Sequence, residues 1–286
     1  MENAIDKIFE QALREDIGFN DITSDATVKD NQVSRAIILV KENGILSGME
    51  FLPKIFSLVD YETEVLINFS SGSLVTKNTI VANISGHTKS ILIAERVALN
   101  FLQRMCGIAT FTHKFIHLIK DTKAKITDTR KTALNLRAFD KLAVTDGGGV
   151  NHRFGLDDMI LIKDNHIAAS GGIKNAISDC QKYLIEKKLS VKVEVEVKNL
   201  DELNEVIEFG KVDRIMFDNF KIDEIIEGVK LVNNKFETEA SGNVNLDTVK
   251  QIAETGIDFI SVGALTHSVK ALDLSLEIIE TNVRQN

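Results

Sequence analysis

Cysteine is almost missing. Only Cys106 and Cys180 occur in 286 residues, and no CxxC pair is formed. That suits a reducing cytoplasm and excludes a disulfide scaffold or a zinc ribbon. Proline is confined to Pro53, against about 5% in average usage, and no function follows from that bias. Long apolar runs are absent too: stretches such as 36–40 and 159–162 fall far short of the ~20 residues of a membrane helix. Asp6, Glu10 and Glu15 interrupt any apolar core of a signal peptide, and no basic segment precedes one. Basic excess is lacking: 34 Lys and Arg against 42 Asp and Glu leave a net charge of -8, which argues against a nucleic-acid-binding stripe. What remains is a globular profile, 44% hydrophobic and 27% charged. A chain of this length has room for about two domains and for a core that needs no structural metal.

The first part mixes element types. Ile5, Ile8, Phe9, Ala12 and Leu13 recur at helical spacing. Residues 15–28 read as a polar loop, 35–46, 64–69 and 74–84 as strands, and 49–59 as a short helix. A long helical stretch follows over 88–121, with an interruption expected near Gly107. From about Lys123 strand-like runs alternate with helices. The strands are expected at 124–128, 159–162, 191–195, 214–217, 236–240 and 259–262. The helices are expected at 173–187, 200–209, 222–232 and 246–255. Such alternation predicts a parallel sheet of βα units, closed as a barrel or open and doubly wound.

In a βα barrel the working residues stand where strands end. Those positions hold Thr129, Arg130 and Lys131, then Lys163, Asp164, Asn165 and His166, then Glu196, then Asp218 and Asn219, then Ser241, Gly242 and Asn243, and finally Gly263, Ala264, Leu265 and Thr266. Glu196, Asp218, Ser241 and Gly263 are 22, 23 and 22 residues apart, the spacing of one βα unit per mark. Charge sorts along the series: Arg130, Lys131, Arg153 and Lys163 come first, then two acids, then two Gly-containing turns. Clustered cations bind carboxylates or phosphates. A pair of carboxylates suits a Mg²⁺ that also keeps water and substrate phosphate as ligands. Gly-rich turns at helix starts hold phosphate through backbone N–H groups.

Each feature has a plainer reading. An acid at a strand end is often a helix cap, a lysine often a solvated surface group, and Gly147–Gly149 a flexible loop. His113 and His117 sit four apart, but Lys114 breaks the HExxH pattern, so these two read as structural. So do His87, Cys106 and Cys180.

At these residues the chain resembles the quinolinate phosphoribosyltransferases. The motifs are EDIGFNDITSDAT, AERVALNFLQRMCGIAT, DTRKT, GGGVNHRFGLDDMILIKDNH, VEVEV, FDN, ASGNV and SVGALTHS, in order from residue 15 to 268. The resemblance implies an α/β protein: an N-terminal α/β sandwich domain (1–122), a C-terminal open α/β barrel with fewer than eight strands (123–268), and a C-terminal helix (269–286) packing back on the first domain. It implies phosphoribosyl transfer from phosphoribosyl pyrophosphate to quinolinate with loss of carbon dioxide, Mg²⁺ as cofactor and a cytoplasmic location. It also implies a homodimer with shared sites, or a hexamer of such dimers, and no nucleic-acid or membrane partner.

By the same resemblance Arg96 reaches the partner's quinolinate. Thr129, Arg130, His152 and Arg153 surround its carboxylates, and Lys131 and Lys163 stand between the two substrates. Glu196 and Asp218 face the ribose and Mg²⁺. Ser241, Gly242, Asn243, Val262, Gly263 and Ala264 hold the 5-phosphate. Lys131, Lys163, Glu196 and Asp218 are the catalytic set. One departure stands out: Leu134 and Asn135 occupy positions where the family usually has Pro-Gly, which releases a fixed φ. Two other enzymes stay open at this point, the molybdenum-transport-associated paralogue and a Schiff-base aldolase using Lys163.

Overall fold

The computed structural model describes residues 2–283, with side chains from residue 5. Its contacts divide into two compact units. One holds the chain up to residue 111, with 134–148 and 269 onward; the other holds 112–133 and 149–268.

The first unit is built on an antiparallel sheet of β1 (Gln32–Val40), β3 (Glu64–Ile67), β5 (Ile80–His87) and β12 (Leu274–Val283), in the order β12-β1-β5-β3. A short pair, β2 (Gly44–Ile45) and β4 (Leu74–Val75), accompanies it. Ser34, Ala36, Ile38 and Val40 on one face of β1 are buried, and so is Ile37 on the other. The helix Thr88–Ile119 buries a stripe of Ile91, Ala94, Ala98, Leu102 and Met105 at the three- and four-residue spacing of one helix face. Phe9, Phe51, Phe101 and Phe139 interlock with ring centroids 4.9–5.6 Å apart, mostly edge to face as ring quadrupoles prefer.

Four expectations for this unit need correction. Residues 269–286 were expected as a helix, yet Leu274–Val283 is a strand paired antiparallel with β1; the alternation of Leu274, Leu276 and Ile278 is a period of two. The supposed loop 15–28 contains a helix, Ile22–Thr27, capped by Asp21, whose carboxylate accepts the Thr23 and Ser24 N–H groups at 3.1 and 3.0 Å. The long helix runs unbroken through Gly107, where glycine serves close packing: a Cβ there would lie 2.2 Å from the Lys270 carbonyl oxygen. Residues 134–148 join this unit, because Phe139 enters the aromatic cluster and the buried Asp140 accepts two bonds of 2.8 Å from Arg104.

The second unit is a parallel sheet of six strands: β6 (Lys125–Thr127), β7 (Ile160–Ile162), β8 (Val193–Val197), β9 (Arg214–Asp218), β10 (Glu237–Ser241) and β11 (Phe259–Ser261). Their order is β6-β11-β10-β9-β8-β7, so the sequence neighbours β6 and β7 lie at opposite ends and the barrel is open. Val150 adds one parallel bridge to Thr127. Helices Ile173–Lys187, Leu200–Phe209, Ile222–Val232 and Val249–Glu254 connect the strands. Phe217 packs outward so closely that a Cβ on Gly228 would lie 3.0 Å from its ring. At the opposite ends of the strands, Asp213 accepts the Val193 N–H at 2.7 Å and Asp258 the Thr238 N–H at 2.9 Å, which pins the register.

Strand alternation places Glu194 and Glu196, Arg214, Met216 and Asp218, and Glu237, Glu239 and Ser241 on the inward face. Barrels ordinarily fill that space with Val, Ile and Leu. Here the inward row is mostly charged.

The Gly107 contact yields a prediction. Gly107→Ala should destabilise the protein by about 1–3 kcal/mol, because a methyl group must displace backbone. Urea unfolding would read this as a lower midpoint, and an unchanged midpoint would show that the 270–271 segment yields freely.

Candidate active site

The inward residues at the C-terminal ends of the strands open onto one cavity of about 770 Å³. Every residue that the resemblance assigns to substrate or catalysis lines it except Arg96, which belongs to the other unit, whereas the strand-end residues Asp164, Asn165, His166, Leu265 and Thr266 do not.

One side is cationic. The Lys131 N–H donates to Thr129 Oγ1 at 3.0 Å, and Thr266 Oγ1 donates to the Lys131 carbonyl at 2.8 Å, so the turn carrying Arg130 is tied down at both ends. Arg130 Nε is buried with no hydrogen-bond partner among the described residues. Arg153 donates to the Met159 carbonyl at 3.2 Å. Burial, and then the charge of Arg130, push the Arg153 guanidinium below its ordinary value. Two guanidiniums that repel each other in a partly buried place mark where a carboxylate fits.

His152 is set into the wall. Its N–H donates to Asp128 Oδ1 at 2.9 Å, and its Nδ1 accepts the Arg153 N–H at 2.8 Å. Its Nε2 lies 3.0 Å from Glu194 Oε2 and 3.6 Å from Glu239 Oε1. Both ring nitrogens therefore face protein, whereas the resemblance has this histidine meeting substrate carboxylates.

Lys163 pairs with Glu196 across the middle of the cavity. A Schiff-base lysine wants an amine desolvated in apolar surroundings or pressed by another cation, and this ion pair is neither. The Lys163 N–H donates to His166 Nδ1 at 3.0 Å, so His166 caps the helix Asp164–Ala169, while His267 lines the cavity.

The other side holds Asp218 and the turn Ser241-Gly242-Asn243. Gly242 has φ +97°, and a Cβ there would lie 2.1 Å from Asn219 Oδ1. Asn219 itself takes φ +57°. It donates its N–H to the Ser241 carbonyl at 2.8 Å and accepts from Asn243 Nδ2 at 3.0 Å. Asn219 thus ties the end of β9 to the turn after β10. Val262, Gly263 and Ala264 close the cavity, and the Val262 N–H donates to the Thr127 carbonyl at 2.9 Å.

The sequence reading missed three groups: Asn219 as a buttress, and Glu194 and Glu239 as buried acids. The available signal was the alternation in VEVEV and ETEAS. Both acids are fully buried, and desolvation pushes each up to about 7. Arg214 opposes this, with NH1 donating to Glu239 Oε2 at 2.7 Å and NH2 to Glu237 Oε2 at 3.0 Å. Its guanidinium stacks 3.8 Å from the Phe259 ring centroid. His152, Glu194 and Glu239 are the sole group of three or more metal-ligating side chains close enough to share an ion among the described residues. Elsewhere, Cys106 is buried with its thiol pushed up to about 12 by desolvation, so it is inert packing.

Comparison with known proteins gives a consistent result. Residues 21–106 match the family described as Quinolinate phosphoribosyl transferase, N-terminal domain, and residues 108–277 match its C-terminal domain. A quinolinate phosphoribosyltransferase (decarboxylating) of Nicotiana tabacum is 45% identical, covering 95% of this chain and 81% of its own length. A carboxylating nicotinate-nucleotide pyrophosphorylase of Arabidopsis thaliana is 46% identical over 95% of this chain and 82% of its own. Among solved structures, NadC from Streptococcus pyogenes superposes with TM-score 0.93 at 37% identity, covering 100% of this chain and 99% of that one. The nicotinate-nucleotide pyrophosphorylase from Francisella tularensis gives 0.92 at 40% identity, covering 97% of each chain.

The buried acids predict a pH dependence. A carboxyl raised in the fold keeps a proton that the unfolded chain releases above its ordinary 4.5. Its contribution to stability is complete below that value and is lost as pH rises through about 7. The melting temperature should fall between about pH 5 and about pH 8, and Glu239→Gln, which has no proton to lose, should flatten that fall. Parallel curves for the two proteins would contradict the assignment.

Proposed function

The chain belongs to the quinolinate phosphoribosyl transferase family, and from that premise we propose that it joins quinolinate to the phosphoribosyl group of phosphoribosyl pyrophosphate. The ring nitrogen attacks the anomeric carbon as the bond to pyrophosphate breaks. The quaternised ring then accepts the electron pair left when carbon dioxide departs, and nicotinate mononucleotide results. The observation that carries this reading is the cavity's division: the mutually repelling Arg130–Arg153 pair on one side, Asp218 and the glycine turn on the other.

Arg130 and Arg153 take the two carboxylates, so the ring nitrogen is turned toward the sugar. Lys131 and Lys163 stand between the substrates. Asp218 and Glu196 meet the ribose, and the backbone of 241–243 and 263–264 receives the 5-phosphate. No protein nucleophile is required; positioning and charge stabilisation do the chemistry. The donor set fits Mg²⁺ held by few protein ligands, since Glu196 is already paired with Lys163 and Asp218 stands apart from the His152 group. Asp218 and Glu196 are the residues that would hold it, and a Mg²⁺ there would offset charge on the leaving pyrophosphate.

We further propose a dimer in which Arg96 serves the neighbouring subunit. Arg96 is exposed on the helix Thr88–Ile119, beside the buried Val97. A reducing cytoplasm suits the two free cysteines, and among the described residues no helix is long and apolar enough to cross a membrane.

Two outcomes test the reading. Purified protein with phosphoribosyl pyrophosphate and Mg²⁺ should turn over quinolinate and hardly use nicotinate. Leaving cationic donors unpaired costs about 1–3 kcal/mol per group, or roughly five- to 150-fold in kcat/KM. Equal use of both acids would sink the dicarboxylate site. The shared site is tested by mixing inactive Arg96→Ala and Lys163→Ala subunits under exchange. One mixed site then carries neither defect, and activity should return toward about one quarter of wild type by simple statistics. Confirmed exchange without recovery would place Arg96 in the service of its own chain.

A further inference from the structure

We infer that Asn219 is a positioning residue for the sugar-phosphate side of the cavity: its side-chain amide holds the turn Ser241-Gly242-Asn243 at a fixed place relative to Asp218, so that one substrate meets the acid with its ribose and the turn with its 5-phosphate. The identity of that substrate rests on the proposed reaction; the hold on the turn does not.

Two strands stop together at this place. Asp218 is the last residue of β9 and stands in register with Ser241, the last residue of β10. Asn219 follows Asp218 and donates its N–H to the Ser241 carbonyl at 2.8 Å. It does so at φ +57°, a left-handed conformation that ends a strand, whose residues take negative φ. Asparagine enters that region more readily than most side chains. The main chain of Asn219 therefore fixes where Asp218 is presented, and its side chain is left to act on the neighbouring turn.

That side chain grips the turn at two consecutive residues. A Cβ built on Gly242 would meet three atoms of one group, the Asn219 amide: Oδ1 at 2.1 Å, Cγ at 2.4 Å and Nδ2 at 2.9 Å. The amide thus fills the space that any side chain at 242 would need. Gly242 is required once by its φ of +97° and a second time by this contact. Beside it, Asn243 takes φ +51° and donates from Nδ2 to Asn219 Oδ1 at 3.0 Å. A turn of this kind can offer successive N–H groups to an anion, and it binds better when held in place before the anion arrives. Asn219 supplies that hold, one covalent step from Asp218. Its amide is also exposed on the cavity wall, so direct contact with substrate is the rival role, and the experiment separates the two.

The test joins amide exchange to a split of Michaelis constants. Wild-type turnover of quinolinate is measured first; its absence would overturn the functional reading, and amide exchange would still judge the hold on the turn. Asn219→Gly keeps the left-handed backbone and the N–H bond to Ser241 and removes only the amide. Without substrate, hydrogen exchange across 241–244 should quicken about tenfold in this variant, while 263–265 stays within about twofold of wild type. With substrates, the KM for phosphoribosyl pyrophosphate should rise about tenfold while the quinolinate KM stays within about twofold. Asn243→Gly removes the other half of the same hydrogen bond and should quicken exchange in the same segment; it decides should the Asn219 variant not fold. Unchanged exchange at 241–244 overturns the inference, and a raised KM beside it would assign the Asn219 amide to the substrate itself. An unchanged KM for phosphoribosyl pyrophosphate in the folded Asn219 variant overturns it too, as does an equal rise in both constants.

Discussion

A charged barrel interior is the constraint on which the second unit is built. Burying a carboxylate without a partner costs several kcal/mol, and Glu194, Glu196 and Glu239 all project into space that most barrels pack with branched aliphatic side chains. Arg214 makes this tolerable. It divides its guanidinium between Glu237 and Glu239 while lying flat on Phe259, a use for which a lysine lacks the planar fork. Lys163 pairs with Glu196, and His152 Nε2 stands 3.0 Å from Glu194 Oε2. Each group is acceptable only because the next is present, so the inward row behaves as one network and not as separate pairs.

That network explains how a chain with net charge -8 presents a cationic wall to its substrate. The cations at the cavity rim are backed by acids one or two layers below, which keeps the guanidiniums charged in poor solvation while leaving donors such as Arg130 Nε unsatisfied until an anion arrives. The Lys163–Glu196 pair stands at the seam between the cationic and acidic sides. Neutralised against each other, these two separate the cationic side from the acid-and-glycine side of the cavity. The field above the cavity is then set by Arg130, Lys131, Arg153 and Asp218, and low-dielectric walls focus such a field.

Much of this was legible in the sequence, and the reason differs by feature. The strand-end marks could be read because a βα unit repeats at near-constant length, so Glu196, Asp218, Ser241 and Gly263 declare their own periodicity. The inward acids could not be singled out by residue type, since a Glu in a strand looks like a solvent-facing residue. Only the two-residue alternation of Glu194 and Glu196, or of Glu237 and Glu239, distinguishes them, and it does not say which face is inside. Gly107 looked like a helix break because local propensity says so, yet a close neighbour distant in sequence decided it. The strand Leu274–Val283 escapes a local reading because its partner β1 lies 234 to 251 residues away (Val40 with Leu274, Gln32 with Val283), and no window sees that far. Asn135, standing where the family usually has glycine, takes φ +63°. That is the left-handed conformation asparagine tolerates better than most side chains, so the local backbone path is kept without the glycine.

The pairing of β12 with β1 also sets an order of events during synthesis. Nearly everything the barrel needs lies between residues 112 and 268, and it can assemble while the chain is still being made. The antiparallel sheet cannot. Until Leu274–Val283 emerges, β1 is a bare edge with Arg35 through Val40 offering unpaired backbone groups to any passing strand. Strand β1 is thus among the last parts of the sheet to be completed. Before that pairing forms, the edge of β1 has no covering strand and is the part of this sheet most open to a stray partner.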